Sequence, residues 1–364
     1  MMFKGADSRA IRVATLFVLW GLLPGCEIKS GTPTGVTPQN HAGQNHTGQN
    51  PTGADSTGAA SAPSSGDRKV ETATVSAEGS STVYPICQAF AVEFEKKSVG
   101  STVSVGRQGT GGGYKKFLNR QADIWNASRP IDPKEVDDLK QKGIQWIELN
   151  VAIDGIVIAV HPQNTWCEKL TCAQLKQIWE PESKVKTWSD LDASWPAEPM
   201  VLFGADTDSG TFEYFTEEIN GKKKATNTNY TPASDDNVLV QGIATNQYAL
   251  GYIPFGYFVE NTEKLKPVAV SATKDASQTP LPFVVPSIES ILSGEYVPLA
   301  RPLYMYVNTE SLKRPEVADF LKFSVSEESQ PLVEMRGFVR VQETSRQKAM
   351  ATLETALKEL STVK

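Results

Sequence analysis

Met200-Val201-Leu202-Phe203, Asp206-Thr207-Asp208-Ser209-Gly210-Thr211 and Phe212-Glu213-Tyr214-Phe215 succeed one another past the middle of the chain. The first is a short apolar run of the kind that fills a buried strand. The last opens a helix, because Phe212, Phe215 and Ile219 recur at helical spacing. Between them stands a loop of small hydroxylated and acidic residues. A helix N-terminus leaves about four backbone N–H groups without intrahelical partners, and its dipole favours negative charge. Glycine lets an anion approach the backbone, and Ser or Thr adds a hydroxyl donor.

The same order recurs upstream. Gly79-Ser80-Ser81-Thr82 precedes a helix from Tyr84, and Gly109-Thr110-Gly111-Gly112-Gly113 forms a turn before a helix holding Tyr114 and Phe117. Taken singly, each loop is explained by ordinary N-capping. Three of them on strand-to-helix edges point to the crevice where open α/β sheets bind ligands. A fourth segment, Asn126-Ala127-Ser128-Arg129-Pro130-Ile131, follows a buried strand read at Asp123-Ile124-Trp125. Arg129 could hold an oxyanion bidentately beside the Ser128 hydroxyl, or pair with a neighbouring acid on the surface. Pro130 favours extended backbone at Arg129, which aims the pair out of the strand end.

Further strands are expected at 71–78, 102–105, 144–152, 156–160 and 302–307, and helices at 84–97, 315–323 and 345–360. Alternating β and α elements predict a largely parallel sheet with helices on both faces. The roughly 290 residues of this pattern exceed one ordinary core, so two α/β lobes are expected.

The N-terminus reads as an export signal. Lys4, Arg9 and Arg12 precede an apolar run of 11 residues, Val13 to Leu23. That is shorter than the roughly 20 residues a spanning helix needs. Leu23-Pro24-Gly25-Cys26 then resembles a bacterial lipobox, which makes Cys26 the lipidated residue; ordinary cleavage nearby would leave it incidental. Residues 27–72 repeat Gln-Asn-His/Pro-x-Gly from Gln39 and are poor in large apolar side chains, as in a flexible tether.

Composition narrows the function. The 364 residues carry 36 Lys plus Arg against 42 Asp plus Glu, a net charge of −6 with no general basic field for nucleic acid. Loss of residues 1–25 leaves −8. Of three histidines, His41 and His46 lie in the repeat, leaving His161 for the folded part. A Ser–His–Asp triad, a multi-histidine metal site and a metal-dependent phosphatase are thereby disfavoured. The four cysteines form no CxxC pair. No Gly-x-Ser-x-Gly elbow and no Walker A sequence occurs, so no catalytic residue, cofactor or metal is expected. Asp235-Asp236 reads as a cap or hinge contact. Cys87 falls on the apolar stripe of the first helix and should be a buried thiol. The exported compartment and a five-residue separation at a turn suggest a Cys167–Cys172 disulfide.

Five segments in order, GSSTVYP at 79–85, GTGGGYKKF at 109–117, NASRPI at 126–131, TDSGTFEYF at 207–215 and SDDNVLVQGIATNQYALGY at 234–252, resemble the phosphate-binding PstS family. These are periplasmic receptors of bacterial phosphate ABC transporters. The resemblance spans roughly 73–361. It implies a two-lobed periplasmic binding protein of type II, with two crossover strands and the anion in the interlobe cleft. Lobe I would be 73–153 plus 302–364, and lobe II 154–301. It implies inorganic phosphate as ligand, a permease and ATPase complex as partner, and a monomer in the periplasm or cell envelope. Another tetrahedral oxyanion, or a phosphate-ester hydrolase, is the alternative. Matched residue by residue, Ser81 and Thr82, Thr110 and Gly111, Ser128, and Ser209, Gly210 and Thr211 are the ligand donors. Many members have Asp after the third-segment Ser and Arg before Ser-Gly-Thr. Here Arg129 and Ala205 occupy those places, so the charges look exchanged between lobes. Sulfate cannot donate a hydrogen bond and phosphate can, so an ionised carboxylate among the donors would select phosphate. Asp208 is the first choice and Asp206 the second, with capping of the helix the other reading of Asp208.

Overall fold

A computed structural model describes residues 73–362. The signal segment, Cys26, the tether and its histidines lie outside the described residues. The chain begins with β1 (Ala73–Gly79), α1 (Tyr84–Lys97), β2 (Ser101–Val105), α2 (Gly109–Leu118), β3 (Ile124–Ala127) and α3 (Pro133–Gln141). The long β4 (Trp146–Val160) leads to β5 (Lys169–Thr171), α4 (Cys172–Trp179), β6 (Val201–Ala205), α5 (Gly210–Asn220), β7 (Thr231–Ala233) and α6 (Asp236–Ala244). Then come β8 (Ala249–Pro254), α7 (Phe255–Val259), β9 (Lys266–Pro267), β10 (Ala269–Ser271) and α8 (Ile288–Leu292). Returning β11 (Ala300–Asn308) is followed by α9 (Pro315–Ser324), α10 (Gln330–Met335) and α11 (Glu343–Thr362).

One mixed, curled sheet orders its strands β2-β1-β3-β11-β4-β8-β6-β7, with β9 beside β4. Its wings are parallel, as the βα alternation requires: β1 with β2 and β3, β6 with β7 and β8. Its centre is antiparallel, unlike the largely parallel sheet expected: β11 runs against β3 and β4, and β4 against β8. The cause is β4. The two strands read at 144–152 and 156–160 are one 15-residue strand, because Asp154-Gly155 does not interrupt it. Asp154 is paired to Arg301, and a Cβ on Gly155 would lie 2.7 Å from Ile291 Cδ1. The first half of β4 pairs with β11 and the second with β8, so the strand passes from one core to the next.

Those cores are separate. One gathers Val75, Phe90, Phe94, Leu149, Met305, Phe320 and Leu353; the other gathers Ile156–Val160, Trp179, Phe212, Phe215, Ile243 and Tyr252. Helix α1 shows how the pattern acts. Pro85 starts it, Cys87, Phe90, Ala91 and Phe94 are buried on one side, and Phe94 meets Phe320 edge-on at 5.5 Å. Burial of each such ring contributes about 1.5–3 kcal/mol.

Two expectations change locally. The glycine-rich stretch from Gly109 is the first turn of α2 and not a turn ahead of it. Its glycines let that helix lie on β1, since a Cβ on Gly113 would sit 2.3 Å from Gly79 Cα. The Cys167–Cys172 disulfide is absent: both are free, buried thiols, as is Cys87. The extended β5 separates them, and Thr171 opens α4 with a capping box to Gln174. The three extended residues of β5 alone span about 10 Å, whereas a bridge needs Cα atoms closer than about 7 Å. Burial pushes both thiols up, Cys167 to about 12 and Cys172 to about 11. No helix among the described residues is long and apolar enough to cross a membrane.

Candidate anion-binding site

All four loops meet at the seam between the cores. Gly79 (φ +140°) turns the chain out of β1 so tightly that a Cβ would lie 2.1 Å from the Asn126 carbonyl oxygen. Ser80 accepts from the amides of Thr82 and Val83 at 3.1 and 3.3 Å, and so is the cap of this loop. That frees Ser81 and Thr82, both buried, to face the seam. Thr82 Oγ1 lies 3.1 Å from Thr211 Oγ1, on the first turn of α5. Thr110 Oγ1 lies 3.3 Å from Ser128 Oγ and accepts from the Ser128 amide at 3.2 Å. A Cβ on Gly210 would lie 2.4 Å from both Ser128 Oγ and Thr110 Oγ1, so the start of α5 rests directly on those hydroxyls. Ser209 caps α5, accepting from the Thr211 amide at 3.1 Å.

Thr82, Thr110, Ser128 and Thr211 are thus brought together, each fully buried. Gly111 is differently engaged: its amide donates to the Asp208 carbonyl at 2.9 Å and joins the two sides of the seam. Asp208 points outward. Its half-exposed carboxylate pairs with Lys115 at 3.1 Å. Asp206 accepts from the Asp208 amide at 3.1 Å and holds the loop, and burial raises its carboxyl above the usual range.

Arg129 departs most from expectation. Its guanidinium, 2% exposed, donates Nη1 and Nη2 to Glu135 at 2.8 and 2.7 Å, Nη1 to the Pro130 carbonyl at 2.9 Å, and Nε to Glu213. It also lies over the Trp125 ring. Burial alone would lower its pKa; Glu135, Glu213 and Asp132 outweigh that and hold it charged. Its donors are therefore engaged by carboxylates, the bond to Glu213 crosses the seam, and it stands apart from the hydroxyl group.

The charge at the hydroxyls comes from Arg301, which the sequence reading missed. It is 1% exposed on β11, in register with Asp154 of β4, to which Nε and Nη2 donate at 3.1 and 2.8 Å. Nη1 donates to the Ser128 carbonyl at 2.9 Å, and Nη2 reaches Thr211 Oγ1 at 2.8 Å and Thr82 Oγ1 at 3.3 Å. One guanidinium thus ties the crossing strands to donors from both cores. Its signal was present: an Arg before Pro302 in an apolar strand, and an Asp inside the apolar run at 149–160, are charges that must pair when buried. Asp154 accepts the Phe255 amide at 3.0 Å, and its carboxyl is raised by burial against the pull of Arg301. Asp236, also missed, opens α6 at the same place, 2% exposed. Asp235 before it is the cap, accepting from the Asn237 amide at 3.1 Å. His161 accepts from the Gln163 amide in a surface turn.

Hydroxyl donors from two lobes, a buried cation and a helix start converging between crossing strands define a substrate-binding protein of the periplasmic type. A PBP superfamily domain matches residues 54–328. The chain is 40% identical over 259 residues to the protein SphX of Synechococcus elongatus, covering 71% of this chain and 74% of that one. It is 38% identical over 268 residues to the phosphate-binding protein PstS of Staphylococcus saprophyticus, covering 73% and 79%. The crystal structure of a possible phosphate binding protein from Planctomyces limnophilus aligns at 47% identity, with a TM-score of 0.60, covering 79% of this chain and 99% of that one. The chain belongs to the PstS phosphate-binding family of the PBP superfamily.

Proposed function

We propose that the protein captures inorganic phosphate between its two lobes and hands it to the permease and ATPase of an ABC transporter, without catalysing a reaction. One observation carries this reading: Thr82, Thr110, Ser128 and Thr211 come from both sides of the seam and meet beside Arg301. A tetrahedral anion offers many acceptor positions, and donors converging from two lobes suit it. The names of the PstS relative and of the Planctomyces protein support phosphate as the anion. The separate cores support lobes at 73–153 plus 302–364 and at 154–301. A net charge of −8 after export does not oppose capture, because distant charges are screened beyond a Debye length of roughly 8 Å.

The lipobox supports anchoring through Cys26, with 27–72 as the tether that lets a monomer reach its permease; Cys26→Ser should release the protein from membranes. Calorimetric titration with phosphate, sulfate and arsenate, alongside assay of a phosphate ester, tests the function. Saturable phosphate binding at one site without ester turnover is expected. Turnover would favour the hydrolase, and a stronger response to another oxyanion would move the ligand.

A further inference from the structure

A cleft of about 820 Å³ lies between β5, the start of α4 and the segments 191–195 and 273–283, and it shares no residue with the donor loops or with Arg301. Small-molecule sites typically span roughly 300–1,000 Å³. Trp166, Trp195 and Phe283 line this one with partly exposed rings. Trp188, fully buried, meets Trp166 edge-on at 5.6 Å and Trp195 at 5.9 Å, which fixes both rings against the second core. The 273–283 segment is fixed as well: Thr273 Oγ1 accepts from the Leu281 amide at 2.8 Å, and Val270 bridges Val284. The walls are therefore in place before any ligand arrives, which lowers the ordering cost of binding.

The polar lining selects the ligand. Its charges are Glu168, Asp192 and Asp275 against Lys169, whose ammonium lies 5.1 Å from the Phe283 ring centroid. Asp192 Oδ1 accepts from the Ser194 amide and hydroxyl at 2.9 and 2.6 Å, and Asp275 Oδ1 from those of Ser277 at 2.9 and 2.7 Å. These bonds hold both carboxyls below the usual range, so both are ionised, and each Oδ2 is left to accept from a ligand. Gln174 Oε1 is engaged by the Thr171 amide and hydroxyl at 3.0 and 3.3 Å, which leaves its Nε2 to donate. Three carboxylates against one ammonium repel an oxyanion, so this is no second phosphate site. A simple cation would leave the amide donors unused and meet Lys169. The ligand must both donate and accept while presenting C–H groups to electron-rich ring faces. A pyranose does all three: each hydroxyl donates and accepts, and the C–H bonds cover the ring faces. We infer that this cleft binds a short neutral oligosaccharide, with Trp166 and Trp195 as platforms and Asp192, Asp275 and Gln174 engaging hydroxyls.

Calorimetric titration of the full-length protein with maltotriose, cellotriose and chitotriose tests this, with trigalacturonate and spermidine as charged controls. At least one neutral trisaccharide should bind at a single site, roughly tenfold or more tighter than either control, and equally well with phosphate at saturation. Trp195→Ala removes a platform and Asp275→Ala a carboxylate; each should weaken that binding roughly tenfold and leave phosphate affinity unchanged. No heat from any of the three sugars up to about 10 mM overturns the inference, as does a stronger response to either control. Sugar binding that phosphate displaces would belong to the seam and overturns it too. The Asp275 side chain is exposed and bonds only Ser277 of its own turn, so Asp275→Ala keeps its fold and reads the cleft even if Trp195→Ala does not. Unchanged sugar affinity in Asp275→Ala is therefore decisive against the cleft. The sugar titrations stand whether or not the protein binds phosphate.

Discussion

Replacing Arg301 by Met keeps most of the side chain's volume and removes its charge. In the native fold Arg301 makes two bonds to Asp154 and one each to the Ser128 carbonyl, Thr82 and Thr211. Without it, Asp154 is a buried carboxylate left with the Phe255 amide, and breaking a buried pair from one side costs about 3–5 kcal/mol. The binding loss has a separate size. A hydrogen bond to a charged group contributes about 1.5–3 kcal/mol, which weakens Kd roughly tenfold to hundredfold. Chemical denaturation and phosphate calorimetry read the two effects independently. In the double variant Asp154→Asn/Arg301→Met the orphaned charge is gone, so most of the stability should return while phosphate affinity stays low. An Arg301→Met protein within about 1 kcal/mol of wild type, with unchanged phosphate affinity, would refute the placement of Arg301 at the centre of the site.

Gly210→Ala puts a Cβ 2.4 Å from Ser128 Oγ and Thr110 Oγ1; it should weaken phosphate binding at least tenfold in calorimetry with little loss of melting temperature, since the clash lies across the seam. Asp208→Asn removes only a rim pair with Lys115, worth about 1 kcal/mol or less, and the phosphate-to-sulfate preference should be unchanged in competition titrations. The folded carboxyl of Asp236 stands at about 7 against an ordinary 3.8. Its contribution to stability is therefore full below about pH 4 and is lost as pH rises through 7, amounting to on the order of 4 kcal/mol. Denaturation of Asp236→Asn at pH 4.5 and 8 should lack that decline. Alkylation of the unreduced, unfolded protein should modify both Cys167 and Cys172, which are free thiols; resistance to alkylation would restore the disulfide.

The wings of the sheet were legible because each strand, donor loop and helix is a local pattern: Pro85 and the Phe90–Phe94 stripe set α1, and Ser209-Gly210 sets α5. The antiparallel centre was not, because Asp154-Gly155 reads locally as a break and becomes strand only once Arg301, distant in sequence, supplies its partner. The same non-local pairing explains the site. Hydroxyls at helix starts announce themselves in sequence, and Thr82, Thr110, Ser128 and Thr211 do converge. Charges announce themselves without direction. Arg129 and Asp208 looked like ligands, but Glu135, Glu213 and Lys115 turn them elsewhere. Arg301 stands just outside the strand read at 302–307 and Asp236 reads as part of a cap or hinge contact; the fold buries both.

In the proposed complex one oxyanion is held among Thr82, Thr110, Ser128, Thr211 and Arg301. Crystals grown with arsenate, a phosphate analogue with anomalous scattering, locate the anion directly. A single strong anomalous peak is expected within hydrogen-bonding distance of those hydroxyls. A peak at Arg129, or anywhere outside the seam, would contradict it.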